Sequence, residues 1–108
     1  EYIVQYKELE DKRNLLLEKE IRNLERYYTT VEGSACYVEA NVCKVLEPER
    51  FEIDYVDTID DYGNGTGKYY KIGMAQCMIL DRISPQWKAE YDFSKVPMEV
   101  IYEVLGMK

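Results

Sequence analysis

The chain has no histidine at any of its 108 positions, and that absence removes much of hydrolytic chemistry. A Ser/His/Asp or Cys/His mechanism takes its general base from an imidazole, and here there is none to supply it. Cysteine is scarce as well: Cys36, Cys43 and Cys77 are odd in number and lack CxxC spacing, which argues against a disulfide framework or a zinc cluster. Set in apolar surroundings, they read as buried free thiols, the state expected in a reducing, cytoplasmic compartment. Uninterrupted apolar runs are too short to cross a bilayer, so the expectation is a soluble chain with no membrane partner. Positive charge is in deficit, the formal net charge being -7. Such a chain repels phosphate backbones, and nucleic acid is not an expected partner. Methionine is absent before Met74; with Glu1 at its head and no initiator, the chain is expected to be an excised or processed piece of something longer.

What remains is ordinary globular chemistry, with 46% apolar and 32% charged residues on a length suited to one domain. Such a domain buries roughly two-thirds of its unfolded surface around one modest core. Tyr2, Tyr6, Leu9, Leu17, Ile21, Leu24 and Tyr28 recur at steps of three, four and their multiples, which predicts one helix over residues 2–28. It would be roughly 40 Å long, with Glu8/Lys12 and Glu18/Arg22 as supportive i, i+4 pairs. Its polar face reads as solvated rather than as a dimerising coiled coil, because Arg13 interrupts the stripe and the heptads are not sustained.

A second helix is predicted from about Val31 to Leu46, with Val31, Ala35, Val38, Val42 and Val45 as its stripe and Pro48 as its stop. Valine is a mediocre helix former, but the three-and-four spacing outweighs that. Residues 47–67 carry seven acidic side chains against Arg50 and end in "YGNGTG", the composition of a long surface loop; "FEIDYV" alternates with period two and offers a short strand as an alternative. A third helix should start near a Thr66 cap, place Tyr70, Gly73, Met74, Cys77 and Leu80 on one face, and stop at "SPQW". Ser84 and Pro85 then read as the cap and first position of a short helical turn. The last helix has Pro97 near its start, Met98, Ile101, Tyr102 and Leu105 on one face, and Gly106 as its C-terminal cap. The expected fold is therefore all-α: about four helices, with a long N-terminal helix and a long acidic loop between helices two and three.

Three site motifs can be weighed on their residues. "GNGTGK", Gly63 to Lys68, falls short of a phosphate loop, because Tyr62 stands where the first glycine belongs and Tyr69 where serine or threonine follows the lysine; a flexible loop and helix cap is the simpler reading. No start in the acidic segment gives the spaced oxygen ligands, central glycine and final glutamate of a calcium loop. Glu32 carries two readings. Thr29-Thr30-Val31-Glu32 fits a capping box, the threonine accepting from a backbone amide and the glutamate reaching back to the cap's own N–H.

The second reading comes from "EGSACYVE", Glu32 to Glu39, which resembles the EGxAxYxE helix of gluzincin metallopeptidases. The resemblance implies that Glu32 is the third zinc ligand, with Gly33 letting another backbone approach closely. "YYKIGMAQCMILDRISPQWKAEYDF", Tyr69 to Phe93, resembles a later helix of the same peptidases, in which a tyrosine three residues before a glycine steadies the oxyanion. Tyr70, three before Gly73, matches that position, and "LDRISPQWK" is similar to the tail of bacterial gluzincin-like hydrolases. Together the likeness spans roughly Thr29 to Phe93. It implies that Glu32 and Tyr70 face one cleft, roughly 8 to 10 Å apart.

The departure from that family is the missing HExxH, which would supply two zinc ligands and the general base upstream of Glu32. Three protein ligands and a water are the minimum for a catalytic zinc site, so this chain alone is expected to be inert. Zinc, like peptide hydrolysis, would belong to an intact parent, with the missing N-terminal portion as partner. The competing expectation is a helical protein-interaction or oligomerisation domain, with a homodimer as its candidate assembly. Its support is the long amphipathic first helix and the 11 tyrosines, a residue favoured where one end of a ring is buried and the other stays wet.

Overall fold

Glu18 stands in extended backbone, φ -67° and ψ 152°, and that residue breaks the single helix predicted over 2–28. The computed structural model describes residues 2–59 and 67–107, all of its regular elements helical. Helix α1 runs Tyr2–Leu16 and α2 runs Lys19–Tyr27. In an unbroken rod Arg13 and Glu25 would lie roughly 18 Å apart. Folding back at Leu17 and Glu18 instead brings the Arg13 guanidinium onto the Glu25 carboxylate through both nitrogens, a two-pronged charge-assisted contact. The corner leaves Leu15 and Leu16 each 86% exposed. Helix α1 is tied to the far end of the chain by the Tyr102 hydroxyl, which donates to Glu10 at 3.0 Å.

Helix α2 does not stop where the second helix was expected to begin. It passes through a π-turn, Tyr28–Glu32, into α3, Gly33–Leu46, so Thr29 and Thr30 are buried within a continuous helical path. The far end is as predicted: Glu47, preceding Pro48, leaves helical geometry at φ -142°, the restriction that proline places on its neighbour. The stretch expected to be a long acidic loop, or in part a strand, is helical through α4, Pro48–Phe51, and a π-turn, Glu52–Val56. Phe51 explains the difference. Its ring is buried, stacks on Tyr55 at 6.1 Å and lies under the Lys44 ammonium, while Arg50 bonds Asp54 one turn on. Residues 60–66, which hold most of "YGNGTG" and the cap expected at Thr66, lie outside the described residues.

Helix α5, Gly67–Ile83, matches its prediction and stops before "SPQW". The following short turn starts later than Ser84 and Pro85: it is a 3-10 turn at Trp87–Ala89, and the Ser84 carbonyl accepts the Trp87 N–H at 2.9 Å. Helix α6, Pro97–Val104, begins with Glu99 accepting the Val96 N–H at 3.0 Å, half of a capping box. It ends as predicted on Gly106, whose φ of +71° suits a residue without Cβ. There the Met107 N–H reaches Tyr102 O at 2.8 Å and the Gly106 N–H reaches Glu103 O at 3.0 Å, a Schellman closure.

The core lies along α5, which packs against α3 on one side and α6 on the other. Met74, Cys77 and Leu80 meet Met98, Ile101 and Tyr102 from α6, Tyr37 and Ala40 from α3, and Phe51 and Trp87. Fully burying a side chain such as Leu80 or Ile101, both at 0% exposure, is worth about 2 kcal/mol each. One predicted face is turned the other way. Val31, Ala35, Val38, Val42 and Val45 all face solvent, and α3 buries Gly33, Tyr37 and Ala40 in their place. Leu105, expected on the buried face of the last helix, is exposed as well. Cys77 is buried, whereas Cys36 and Cys43 are half-buried, all three as thiols. Among the described residues no helix is long and apolar enough to cross a membrane.

Candidate functional site

Gly33 and Gly73 set the geometry around the two residues singled out from sequence. A Cβ placed on Gly33 would sit 2.6 Å from the Gly73 Cα, so α3 and α5 touch backbone to backbone at that point. A Cβ on Gly73 would also run into the Thr29 carbonyl oxygen of the π-turn. No side chain of any other residue fits between the helices there, which is the physical use of glycine at both places. Glu32 immediately precedes one of these glycines and Tyr70 stands three residues before the other.

The contacts climb in step along the two helices, first Gly33 with Gly73, then Tyr37 with Asp81, so α3 and α5 run in the same direction. On one flank of this seam the Cys36 and Met74 sulfurs lie 3.7 Å apart. Glu32 is one helical turn before Cys36, and Tyr70 one turn before Met74, so the helical period puts each on the side of its own helix that carries the sulfur. Each is half-buried. Glu32 makes no capping hydrogen bond. The capping-box reading of Thr29 and Glu32 fails for a simple reason: the backbone there is already helical on both sides, so no orphan amides need a cap.

Further along the seam residues of the two quoted segments meet one another. The Tyr37 hydroxyl donates to the Asp81 carboxylate, with oxygens at 2.8 and 2.7 Å. The same carboxylate accepts the Trp87 indole N–H at 3.0 Å, and the Lys88 ammonium donates to the Tyr37 oxygen at 3.1 Å. Burial, then the neighbouring Asp81 carboxylate, push the Tyr37 phenol above its ordinary pKa. Sequence reasoning did not join these residues, since Tyr37 and Asp81 are 44 positions apart. The one available signal was that a tyrosine, an aspartate and a tryptophan, each able to bury a polar tip only with a partner, recur in the two segments. Glu39, the last residue of "EGSACYVE", accepts the Tyr55 hydroxyl at 2.6 Å.

Neither Cys36 nor Cys77 is poised as a nucleophile. Burial pushes Cys77 up to about 12 and raises Cys36 as well, so both stay protonated at neutral pH. Among the described residues no three His, Cys, Asp or Glu side chains are grouped to hold a metal ion. Glu32 alone falls short of the three protein ligands of a catalytic zinc; the residues present do not by themselves fit that metal, and no chemical step is assigned to one. Comparison with known proteins finds no family model, no curated protein and no solved structure that matches this chain.

Proposed function

We propose that this chain is a helical part of a gluzincin-like zinc hydrolase, inert by itself, in which Glu32 would be the third zinc ligand and Tyr70 the oxyanion-stabilising phenol. The observation that supports the reading is the backbone contact of Gly33 with Gly73. Glycines at these two positions bring together the helix that Glu32 heads and the helix that carries Tyr70, as a shared site would require. The remaining ligands would come from the missing N-terminal portion of a parent chain. The test is to express the parent with whatever sequence precedes Glu1 and to measure its zinc content and peptide hydrolysis. The expected outcome is one zinc per chain, lost in Glu32→Ala, with Tyr70→Phe keeping the metal while lowering kcat. Full zinc occupancy in Glu32→Ala, or a parent with no HExxH, would end the proposal.

A second reading, a helical interaction domain, has its own observation. The stripe of Val31, Ala35, Val38, Val42 and Val45, which runs from the end of the π-turn along α3, faces solvent over its whole length, with Val45 at 79% exposure. Contiguous exposed apolar patches are uncommon on monomers and mark contact surfaces. Sedimentation of the chain over a range of concentrations tests for a homodimer. Self-association that Val38→Asp and Val42→Asp abolish, each variant still folded, favours this reading.

A further inference from the structure

We propose that the cavity between α1, α2, α5 and the start of α6 is a binding site for a small organic anion, its acidic group resting on Arg22 and its apolar body on Ile72 and Met98. The proposal is independent of the reading above, for neither Glu32 nor Tyr70 lines this cavity. Its volume is about 600 Å³, within the range of small-molecule sites.

The charge on its walls runs against the rest of the molecule. Five cations line it against three carboxylates, in a chain whose formal net charge is -7. All three carboxylates already have partners. Glu25 takes the Arg13 guanidinium and the Tyr69 hydroxyl; Glu99 takes Arg26 at 2.6 Å and the Val96 N–H; Glu10 takes the Tyr102 hydroxyl. Arg13 and Arg26 are thereby engaged.

Arg22 is in a different position. Its Nε–H is buried and has no hydrogen-bond partner among the described residues. A guanidinium is charged at every accessible pH and carries its donors in a fixed fork, and since the three carboxylates of the cavity are paired with other groups, Arg22 leaves uncompensated positive charge on the wall for an anion to neutralise. Carboxylate and phosphate oxygens both match that fork. Lys19 and Lys68 line the same space, the latter with its ammonium 5.0 Å from the Tyr69 ring centre, and they add long-range attraction for an anion. Ile72, Met98 and Val96 give the cavity an apolar side. That side favours an anion with a hydrocarbon body over a bare ion.

The test is a calorimetric titration of this chain with phenyl phosphate, benzoate and inorganic phosphate, with amide chemical-shift mapping of the same mixtures. One equivalent of phenyl phosphate or benzoate is expected to bind saturably, with shifts confined to Tyr69, Ile72 and neighbouring amides of the cavity; which of the two binds more tightly identifies the acidic group. Inorganic phosphate should bind about tenfold more weakly for want of the apolar contact. Arg22→Gln is expected to weaken binding about tenfold or more, and Lys19→Gln several-fold. Arg22→Lys keeps the charge but removes the planar fork of donors, and guards against a folding defect in Arg22→Gln; it should also bind several-fold more weakly. Saturation by none of the three anions, shifts spread over the whole basic surface, or unchanged affinity in Arg22→Lys would overturn the proposal.

Discussion

Helices α3 and α5 each carry an apolar stripe at three-and-four spacing, yet one stripe is the core and the other faces water. On α5 the residues Gly73, Met74, Cys77 and Leu80 are buried as their spacing suggests. On α3 the stripe of Ala35, Val38, Val42 and Val45, which continues from Val31 in the π-turn, is exposed, while the smaller set Gly33, Tyr37 and Ala40 is buried. Both faces of α3 satisfy the helical period, so periodicity cannot choose between them. What chooses is the distance of closest approach. Gly33 against Gly73 lets two backbones touch, which sets Tyr37 at the height of Asp81 and Trp87; a face of β-branched valines would hold the helices apart and leave those polar tips without partners.

The largest effect that would break this comparison is at the glycine contact. Gly73→Val puts a side chain where the Gly33 backbone and the Thr29 carbonyl already stand. Backbone cannot rotate out of the way, so a loss of about 3 kcal/mol or more is expected, read as a large drop in the urea midpoint or as failure to fold. A wild-type midpoint would mean that α3 and α5 do not meet there.

Tyr37→Phe comes next. It removes the hydroxyl from a half-buried carboxylate network and leaves Asp81 with only its indole and lysine neighbours; about 1.5 kcal/mol of destabilisation is expected in denaturant titrations. A near-neutral result would show that water replaces the phenol and that the network does not hold the seam.

A smaller effect, and one that depends on pH, is expected at the corner between α1 and α2. The Arg13 guanidinium, then the Tyr69 hydroxyl, hold the Glu25 carboxyl below its usual range against the opposing effect of burial. A carboxylate with a depressed folded-state pKa adds stability that is fully present above its unfolded pKa, about 4.3, and is lost as pH falls through the folded value. Thermal melts from neutral pH to about pH 3 should therefore fall on the acid side, and Glu25→Gln should flatten part of that fall while costing about 1 kcal/mol near neutrality, since Arg13 is half-exposed. An unchanged acid limb in Glu25→Gln would place the pH sensitivity elsewhere.

The smallest effect sharpens the contrast most. Val38→Ser on the exposed stripe is expected to change stability by less than about 0.5 kcal/mol, against about 3 kcal/mol for Leu80→Ala on the buried one. A Val38→Ser loss that grows with protein concentration would reveal that a second copy covers the valines.

The all-helical class was legible in the sequence, as were the stop before Pro48, the extent of α5 and the Gly106 closure, because each follows from local rules of period, proline and backbone handedness. Glu32 and Tyr70 stand out only through the resemblance of their two segments to a known family, not through a local rule. Four features were decided only by the tertiary structure: the corner at Leu17 and Glu18, the π-turn through Thr29 and Thr30, the helical course of the acidic segment up to Val56, and the choice of face on α3. The corner has no proline or glycine to announce it; it is favoured by an Arg13–Glu25 contact that exists only once the chain has turned. The acidic segment is organised by one buried ring, Phe51. The π-turn lies where the Thr29 carbonyl must clear Gly73, a constraint set by a residue 44 positions downstream, and no local pattern can carry information about a neighbour that only folding supplies.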